Sequence, residues 1–132
     1  MGRSYSYEDG EWGLFVLEAY LENEGVRPSL GMAALTERQK DGAKKAARAF
    51  TKSALAALPK NGKESLIRRF GGEDGAGFIV YDILSGGGSE NQIDVDEADR
   101  IGKAVLKKKP LAYSTLENKL MDLADKVAQK IG

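Results

Sequence analysis

Apolar side chains recur at helical spacing along most of the chain. Near its amino-terminal end they follow the i, i+3, i+4, i+7, i+8 pattern of an amphipathic helix, at Trp12, Phe15, Val16, Ala19 and Tyr20. Three leucines in the same stretch widen the apolar stripe, so acidic residues keep only one side polar. The pattern predicts a largely buried first helix over about residues 9–24, with Gly25 and Pro28 after its end.

A second helix is predicted over 36–58. Thr36 and Gln39 have the spacing of a capping box at its start, and a proline follows its end. Its inward side consists mostly of small residues, which let another helix approach closely: Ala43, Ala46, Ala47, Phe50, Ala54, Ala57 and Leu58. A shorter helix is predicted over 63–70, where two glycines follow.

The apolar run AGFIVYDIL, residues 76–84, has no periodicity that separates helix from strand. A lone strand would have no partner in this chain, so we predict a buried helix. Two further helices follow, over about 95–109 and 114–131. Ser114 and Glu117 have capping-box spacing at the start of the last one.

Together these elements predict an all-α fold, a single-domain irregular bundle of five to six helices with one helix-loop-helix unit over about 76–109. The length suits one core, so residues 1–132 are expected to form one helical domain. Residues 1–8 are polar and unpatterned and are expected to be loosely held. We find no internal repeat, which argues against a solenoid.

The composition excludes several kinds of chemistry. The 132 residues contain neither cysteine nor histidine, which removes disulfides, thiolate nucleophiles and the commonest transition-metal ligands. No run approaches the roughly 20 apolar residues of a membrane span, and the amino-terminal stretch is too acidic for a signal peptide. We therefore expect a cytoplasmic protein, with signal-independent export left open.

Acidic residues concentrate in one block, since residues 70–99 contain eight acidic and no basic side chains. Within it the segment VYDILSGGGSENQIDVDEADRI resembles the EF-hand family of calcium-binding helix-loop-helix units. Ile93 stands where the EF-hand loop has an aliphatic residue, and Glu97 follows where the loop has its bidentate carboxylate. Glu90 and Asp94 stand at the fifth and ninth loop positions.

The resemblance implies a calcium ion held by Asp82, Glu90, Asp94 and Glu97. With Glu97 as the twelfth position, the first and third positions are glycines, and a loop that starts at Asp82 spans sixteen residues instead of twelve. The alternative needs no cofactor, because Asp94 can cap the next helix while Glu97 completes a capping box. Both interpretations stay open at the level of sequence.

Basic side chains recur every four residues along the second helix, at Lys40, Lys44, Arg48 and Lys52. Such a side can bind nucleic-acid phosphates or an acidic partner protein. Arg68, Arg69 and the run 107–109 are candidates to extend it. Because net charge is zero and no aromatic residues interleave, a solvated helix side that only confers solubility is the plainer interpretation.

Catalysis has the least support, because a serine nucleophile would lack a histidine base. Carboxylate pairs such as Glu18 with Glu22, or Asp94 with Glu97, are the remaining acid–base candidates. We predict a small, non-catalytic regulatory or adaptor protein that binds another protein, its calcium loop weak or vestigial. A nucleic-acid-associated protein using residues 40–52 is the alternative, and a small enzyme with carboxylate chemistry is third. The oligomeric state follows from none of these patterns.

Overall fold

The computed structural model describes residues 10–86 and 93–131, and within these ranges the chain forms helices and no strand. The helices are α1 (Trp12–Asn23), α2 (Pro28–Ala34), α3 (Glu37–Ala56), α4 (Lys60–Arg69), α5 (Glu73–Ser85), α6 (Val95–Lys108) and α7 (Ala112–Ile131). The prediction of an all-α bundle is confirmed, with seven helices in the described ranges where five to six were expected. The segment 1–8 lies outside the described residues.

α3 lies at the centre of the bundle, packed against α1, α5 and α7. It begins with the predicted capping box. The Thr36 hydroxyl accepts a hydrogen bond from the Gln39 N–H at 3.0 Å, and the Thr36 N–H donates to the Gln39 side-chain oxygen at 2.9 Å. The predicted small inward side is also present, because the buried residues of α3 are largely alanines.

Two glycines let other helices approach α3 closely. Gly13 of α1 lies against Ala43 and Ala47, and a Cβ atom at Gly13 would come within 2.5 Å of the Ala43 carbonyl oxygen. Gly77 of α5 lies against Thr51 with even less space for a Cβ atom. The helices can meet at these distances only because both positions lack a side chain.

A cluster of aromatic rings around Trp12 forms the middle of the core, and Trp12 itself is fully buried. The centroid of its ring lies 6.0 Å from that of Phe50, 5.8 Å from that of Phe78 and 5.5 Å from that of Tyr81. Such spacings are typical of favourable aromatic pairs. The cluster joins α1, α3 and α5, whereas Phe15, which the sequence pattern places on the buried stripe, is 54% exposed.

α2 is the helix that the sequence analysis missed. Pro28, which the pattern treats as a terminator, stands at the start of α2, where its missing N–H group costs no hydrogen bond. A helix of seven residues does not persist alone in water. Gly31 of α2 packs against the side chain of Leu21 in α1, so tertiary contact stabilises this short helix.

The apolar run 76–84 is helical, as predicted, and belongs to α5. Gly71 and Gly72 separate α5 from α4, with positive φ angles of 79° and 135° that favour glycine. Ile79 and Val80 of α5 are almost fully buried. Neither α5 nor any other helix in the described part of the chain has the length and apolar content to cross a membrane.

α7 begins earlier than predicted, at Ala112 instead of Ser114. The capping box expected at Ser114 and Glu117 does not form, because the Ser114 hydroxyl donates to the carbonyl of Leu111 at 3.3 Å. Glu117 accepts a hydrogen bond from the hydroxyl of Tyr113 instead, at 3.4 Å. Ser114 therefore lies inside the first turn of α7 and does not cap the helix.

Candidate functional site

The predicted calcium ligands that the structure describes lie on α5 and at the start of α6. Asp82 lies within α5 and is half-buried, whereas Asp94 is the N-cap residue of α6. Glu97 lies in the first turn of α6, with its carboxylate 2.8 Å from the guanidinium of Arg69 in α4. Glu90 lies outside the described residues.

Asp94 caps its helix, as the alternative interpretation predicts. Its carboxylate accepts hydrogen bonds from the N–H groups of Asp96 at 3.1 Å and Glu97 at 3.4 Å. The reciprocal half of the predicted capping box is replaced by the bond between Glu97 and Arg69. Among the described residues, no three acidic side chains converge on a point that could hold a metal ion. Because Glu90 is not among them, calcium binding by this loop stays a prediction.

The basic side of α3 is partly neutralised by acids of the same helix. The ammonium group of Lys40 lies 3.6 Å from the carboxylate of Glu37, and that of Lys44 lies 3.8 Å from the carboxylate of Asp41. Exposed pairs of this kind contribute at most about 1 kcal/mol to stability. They do reduce the net positive field that the four-residue spacing indicates.

The other two residues of the basic side of α3, Arg48 and Lys52, line a cavity of about 480 Å³. Glu73 and Asp74 of α5 line it as well. Alternating charges do not form the continuous positive track that phosphates require. Nucleic-acid binding through residues 40–52 stays a prediction, and the arrangement of charges weakens its electrostatic basis.

A groove of about 520 Å³ lies between α3 and the start of α7. This volume falls within the range of about 300–1,000 Å³ that is usual for ligand sites. Its floor is apolar and is formed by Ala46, Ala49, Phe50, Ala112 and Leu116. The α6–α7 turn adds Pro110 and Leu111 to the lining. We call this site the lysine groove because of its rim.

The rim of the lysine groove is positively charged, with Lys45, Lys108, Lys109 and Lys119. No carboxylate lines the groove, and none of these lysines forms an ion pair within the described part of the chain. α7 starts here without an acidic residue in its first turn, so the positive end of the helix dipole adds to the field.

Leu111 gives the lysine groove an accessible apolar surface, since 71% of the residue is exposed. Together with the apolar floor it forms a continuous apolar surface that a ligand can cover. The groove is therefore suited to a ligand that combines apolar side chains with carboxylates.

A second cavity, of about 500 Å³, lies where α1, α5 and α7 meet. Each helix contributes one tyrosine, Tyr20, Tyr81 and Tyr113, and we call this site the tyrosine cavity. The rings of Tyr81 and Tyr113 stack with 5.7 Å between centroids. The hydroxyls of Tyr20 and Tyr81 share a hydrogen bond, and Tyr81 is only 8% exposed.

The tyrosine hydroxyls of this cavity are neutral at physiological pH. Burial, with the nearby Tyr81 and Glu117, raises the pKa of Tyr113 to about 12. Burial and the hydrogen bond with Tyr81 raise the pKa of Tyr20. Burial also raises the pKa of Tyr81. The hydroxyls can therefore both donate and accept hydrogen bonds.

Three carboxylates, those of Glu24, Glu117 and Asp125, line the tyrosine cavity. A hydrogen bond between Glu24 and Asp125 raises the pKa of Glu24, with smaller contributions from burial and from the charge of Asp125. The neighbouring carboxylate of Asp125 therefore disfavours ionisation of Glu24. Among the described residues that line the cavity there is no lysine or arginine, so the site as a whole is acidic.

The two carboxylate pairs considered for catalysis lie outside the tyrosine cavity. Glu18 and Glu22 are both exposed on α1. Asp94 is engaged as a cap and Glu97 with Arg69. Acid–base catalysis by either pair stays a prediction without a geometric basis.

Neither cavity was predicted from the sequence. The run 107–109 was expected to extend the basic side formed by Lys40, Lys44, Arg48 and Lys52, whereas the structure places Lys108 and Lys109 in the lysine groove with Lys45 of α3. The one local signal for the tyrosine cavity was the spacing of Tyr113 and Glu117, which puts both on one side of a helix.

No protein-family model, curated protein or solved structure matches this chain. A functional assignment therefore depends on the chemistry of the sites themselves.

Proposed function

We propose that this protein is a non-catalytic adaptor or regulatory protein whose lysine groove binds an acidic, apolar segment of another protein. The observation that carries the proposal is an apolar floor combined with a rim of lysines that have no carboxylate partner among the described residues. The partner segment places its large apolar side chains on the floor and its Asp and Glu side chains at the rim, as in helix-in-groove recognition. This function needs no ion or cofactor.

Two contributions favour binding. Leu111 is largely exposed in the free protein, and apolar area removed from water stabilises a complex by about 25 cal/mol per Å². Lys108, Lys109 and Lys119 attract carboxylates, which speeds association and selects acidic partners over basic ones. The apolar contacts therefore supply affinity, and the lysines supply selectivity.

Nucleic acid is the competing ligand, because the same lysines attract phosphates. Phe50 is the one aromatic residue among those described in the lining, and it is only 2% exposed. The groove therefore has no open ring on which a base could stack. An apolar floor without a stacking surface favours a peptide.

Fluorescence anisotropy tests the proposal with a labelled amphipathic peptide that has Leu at helical spacing and Glu elsewhere. We expect saturable, single-site binding to the full chain. Lys109→Glu and Lys119→Glu should each weaken it about fivefold, because each replaces an attraction at the rim by a repulsion. Lys60→Glu in α4 is the matched control, since it changes the net charge equally but does not line the groove.

Control ligands separate the two contributions and test the alternative. Peptides with Ser in place of Leu, or Lys in place of Glu, should each bind at least about tenfold more weakly. An oligothymidylate that binds more tightly than the acidic peptide would replace this proposal with the nucleic-acid alternative. Equal losses from Lys60→Glu and Lys119→Glu would show that binding does not occur in the groove.

A further inference from the structure

The tyrosine cavity is separate from the lysine groove, although both use α7. Successive residues of an α-helix are about 100° apart around the axis. Thr115 and Lys119, which line the groove, therefore lie on the opposite flank of α7 from Met121 and Asp125, which line the cavity. The two sites can take different ligands at the same time.

Negative charge in the tyrosine cavity lies at two separate places. Glu117 and Asp125 are eight residues apart on α7, a distance of about 12 Å along the helix axis. Between them Met121 and Ala124 line the cavity, and Met121 is 47% exposed. The site is therefore negative at both ends and apolar in between.

Glu24 of α1 and Asp125 of α7 line the same cavity, and no lysine or arginine is among the described residues of its lining. Both residues are exposed, and the contact with Asp125 raises the pKa of Glu24. Lys126, the neighbour of Asp125, forms its ion pair with Asp122 on α7 instead, at 3.0 Å. A ligand cation between Glu24 and Asp125 would remove the repulsion that the paired carboxylates create.

We propose that the tyrosine cavity binds a linear aliphatic polyamine. One ammonium group lies between Glu24 and Asp125, and a second lies at Glu117. The alkyl chain between them covers Met121, and the tyrosine hydroxyls accept hydrogen bonds from the ammonium groups. This site is independent of the peptide site in the lysine groove.

Other cations fit the cavity less well. A metal ion between Glu24 and Asp125 would have only these two carboxylates of the cavity, because Glu117 lies about 12 Å along the helix axis from Asp125. A quaternary ammonium ion needs open aromatic faces. The rings of Tyr81 and Tyr113 instead stack on each other, with 27° between their planes. Two separated ammonium groups match the two separated acidic ends.

Isothermal titration calorimetry on the full chain in phosphate buffer tests this proposal with 1,8-diaminooctane, whose two ammonium groups can reach both ends. Shorter 1,4-diaminobutane and the monoamine octylamine are the matched probes. We expect single-site binding of 1,8-diaminooctane that is at least about tenfold tighter than that of either probe, because only it places a charge at each end. Spermidine, of similar length, should bind comparably.

Charge-neutralising variants locate the site. Glu117→Gln and Asp125→Asn should each weaken the binding of 1,8-diaminooctane about tenfold. Glu64→Gln on α4 is the matched control, because it makes the same charge change at an exposed residue outside the cavity. Asp125→Asn removes a repulsion, so its thermal unfolding midpoint should not fall.

Three results would overturn the proposal. One is no heat of binding at millimolar diamine. Another is equal affinity for the long and short diamines, which would indicate nonspecific attraction to acidic surface. The third is a loss of affinity in Glu64→Gln equal to that in Asp125→Asn.

Discussion

Helix packing leaves no room for a side chain at Gly77. A methyl group there would overlap Thr51 Oγ1 and lie 2.7 Å from Thr51 Cβ and 2.8 Å from Cγ2. The hydroxyl could rotate away, but Cβ is bonded directly to the backbone of α3. Since carbon atoms pack at about 3.5–4.0 Å, Gly77→Ala must move α5 away from α3 by about 1 Å.

The expected effect on stability is the difference between two terms. Overpacking a close-packed interior costs about 1–3 kcal/mol, and the upper end applies because the contact includes a backbone-linked atom. Replacing glycine by alanine inside a helix contributes about 1 kcal/mol in the opposite direction. We therefore expect Gly77→Ala to lower the free energy of unfolding by about 2 kcal/mol.

Urea denaturation followed by far-ultraviolet circular dichroism measures this change. Gly42→Ala in α3 is the matched control, because the added Cβ meets no atom within 4 Å other than the backbone of its own helix. It should stabilise the protein by about 0.5–1 kcal/mol. Thr51→Gly removes the overlapping atoms. The free energy of unfolding of the double variant Gly77→Ala/Thr51→Gly should therefore exceed, by about 1–3 kcal/mol, the value expected from adding the two single changes.

Two results would refute this reasoning. Strict additivity in the double variant would mean that residues 51 and 77 do not touch. Stabilisation by Gly77→Ala equal to that by Gly42→Ala would mean that α5 lies farther from α3 than the structure has it.

Two further predictions concern the acidic loop and the tyrosine cavity. If the loop binds calcium, amide NMR signals of residues 86–97 shift saturably with calcium but not with magnesium. Arg69→Gln should then tighten calcium binding, because it frees the Glu97 carboxylate. Unchanged spectra would mean that Asp94 acts only as a helix cap. The pKa of Tyr113 is raised to about 12 in the folded protein, whereas tyrosine in the unfolded chain titrates at about pH 10. The protonated Tyr113 hydroxyl therefore stabilises the fold fully below about pH 10, and this contribution is lost as the pH rises through about 12. Urea denaturation at alkaline pH measures this loss, and a Tyr113→Phe variant with an equally steep loss would contradict it.

Local patterns were sufficient to predict most helices. The capping box of Thr36 and Gln39 is made within one turn, so its residue types and spacing identify it without tertiary information. The same logic failed at Glu97 and at Ser114. Glu97 is bound by Arg69 of another helix, a contact between residues 28 positions apart. At Ser114 the helix starts two residues earlier than the pattern predicts, and the hydroxyl donates to the nearby carbonyl of Leu111. Residue types and spacing therefore do not determine which capping bonds form.

α2 and the two cavities depend on tertiary contacts that no local pattern reports. Pro28 is compatible with the end of one helix or the start of the next, and the packing of Gly31 on Leu21 decides between them. The lysine groove joins α3 to the start of α7, and the tyrosine cavity joins three helices. Charge runs and single tyrosines were visible in the sequence, but their neighbours across the fold were not.

Amide chemical-shift mapping of the full chain shows where the acidic amphipathic peptide binds. We expect the largest shifts at the lysine groove, at Ala49, Leu111 and Thr115, and we expect them to saturate as a single site. Small shifts are expected at Tyr20 and Lys52, which lie outside the groove. Binding in the groove is wrong if the largest shifts occur around Lys52 or if no shift at the groove saturates.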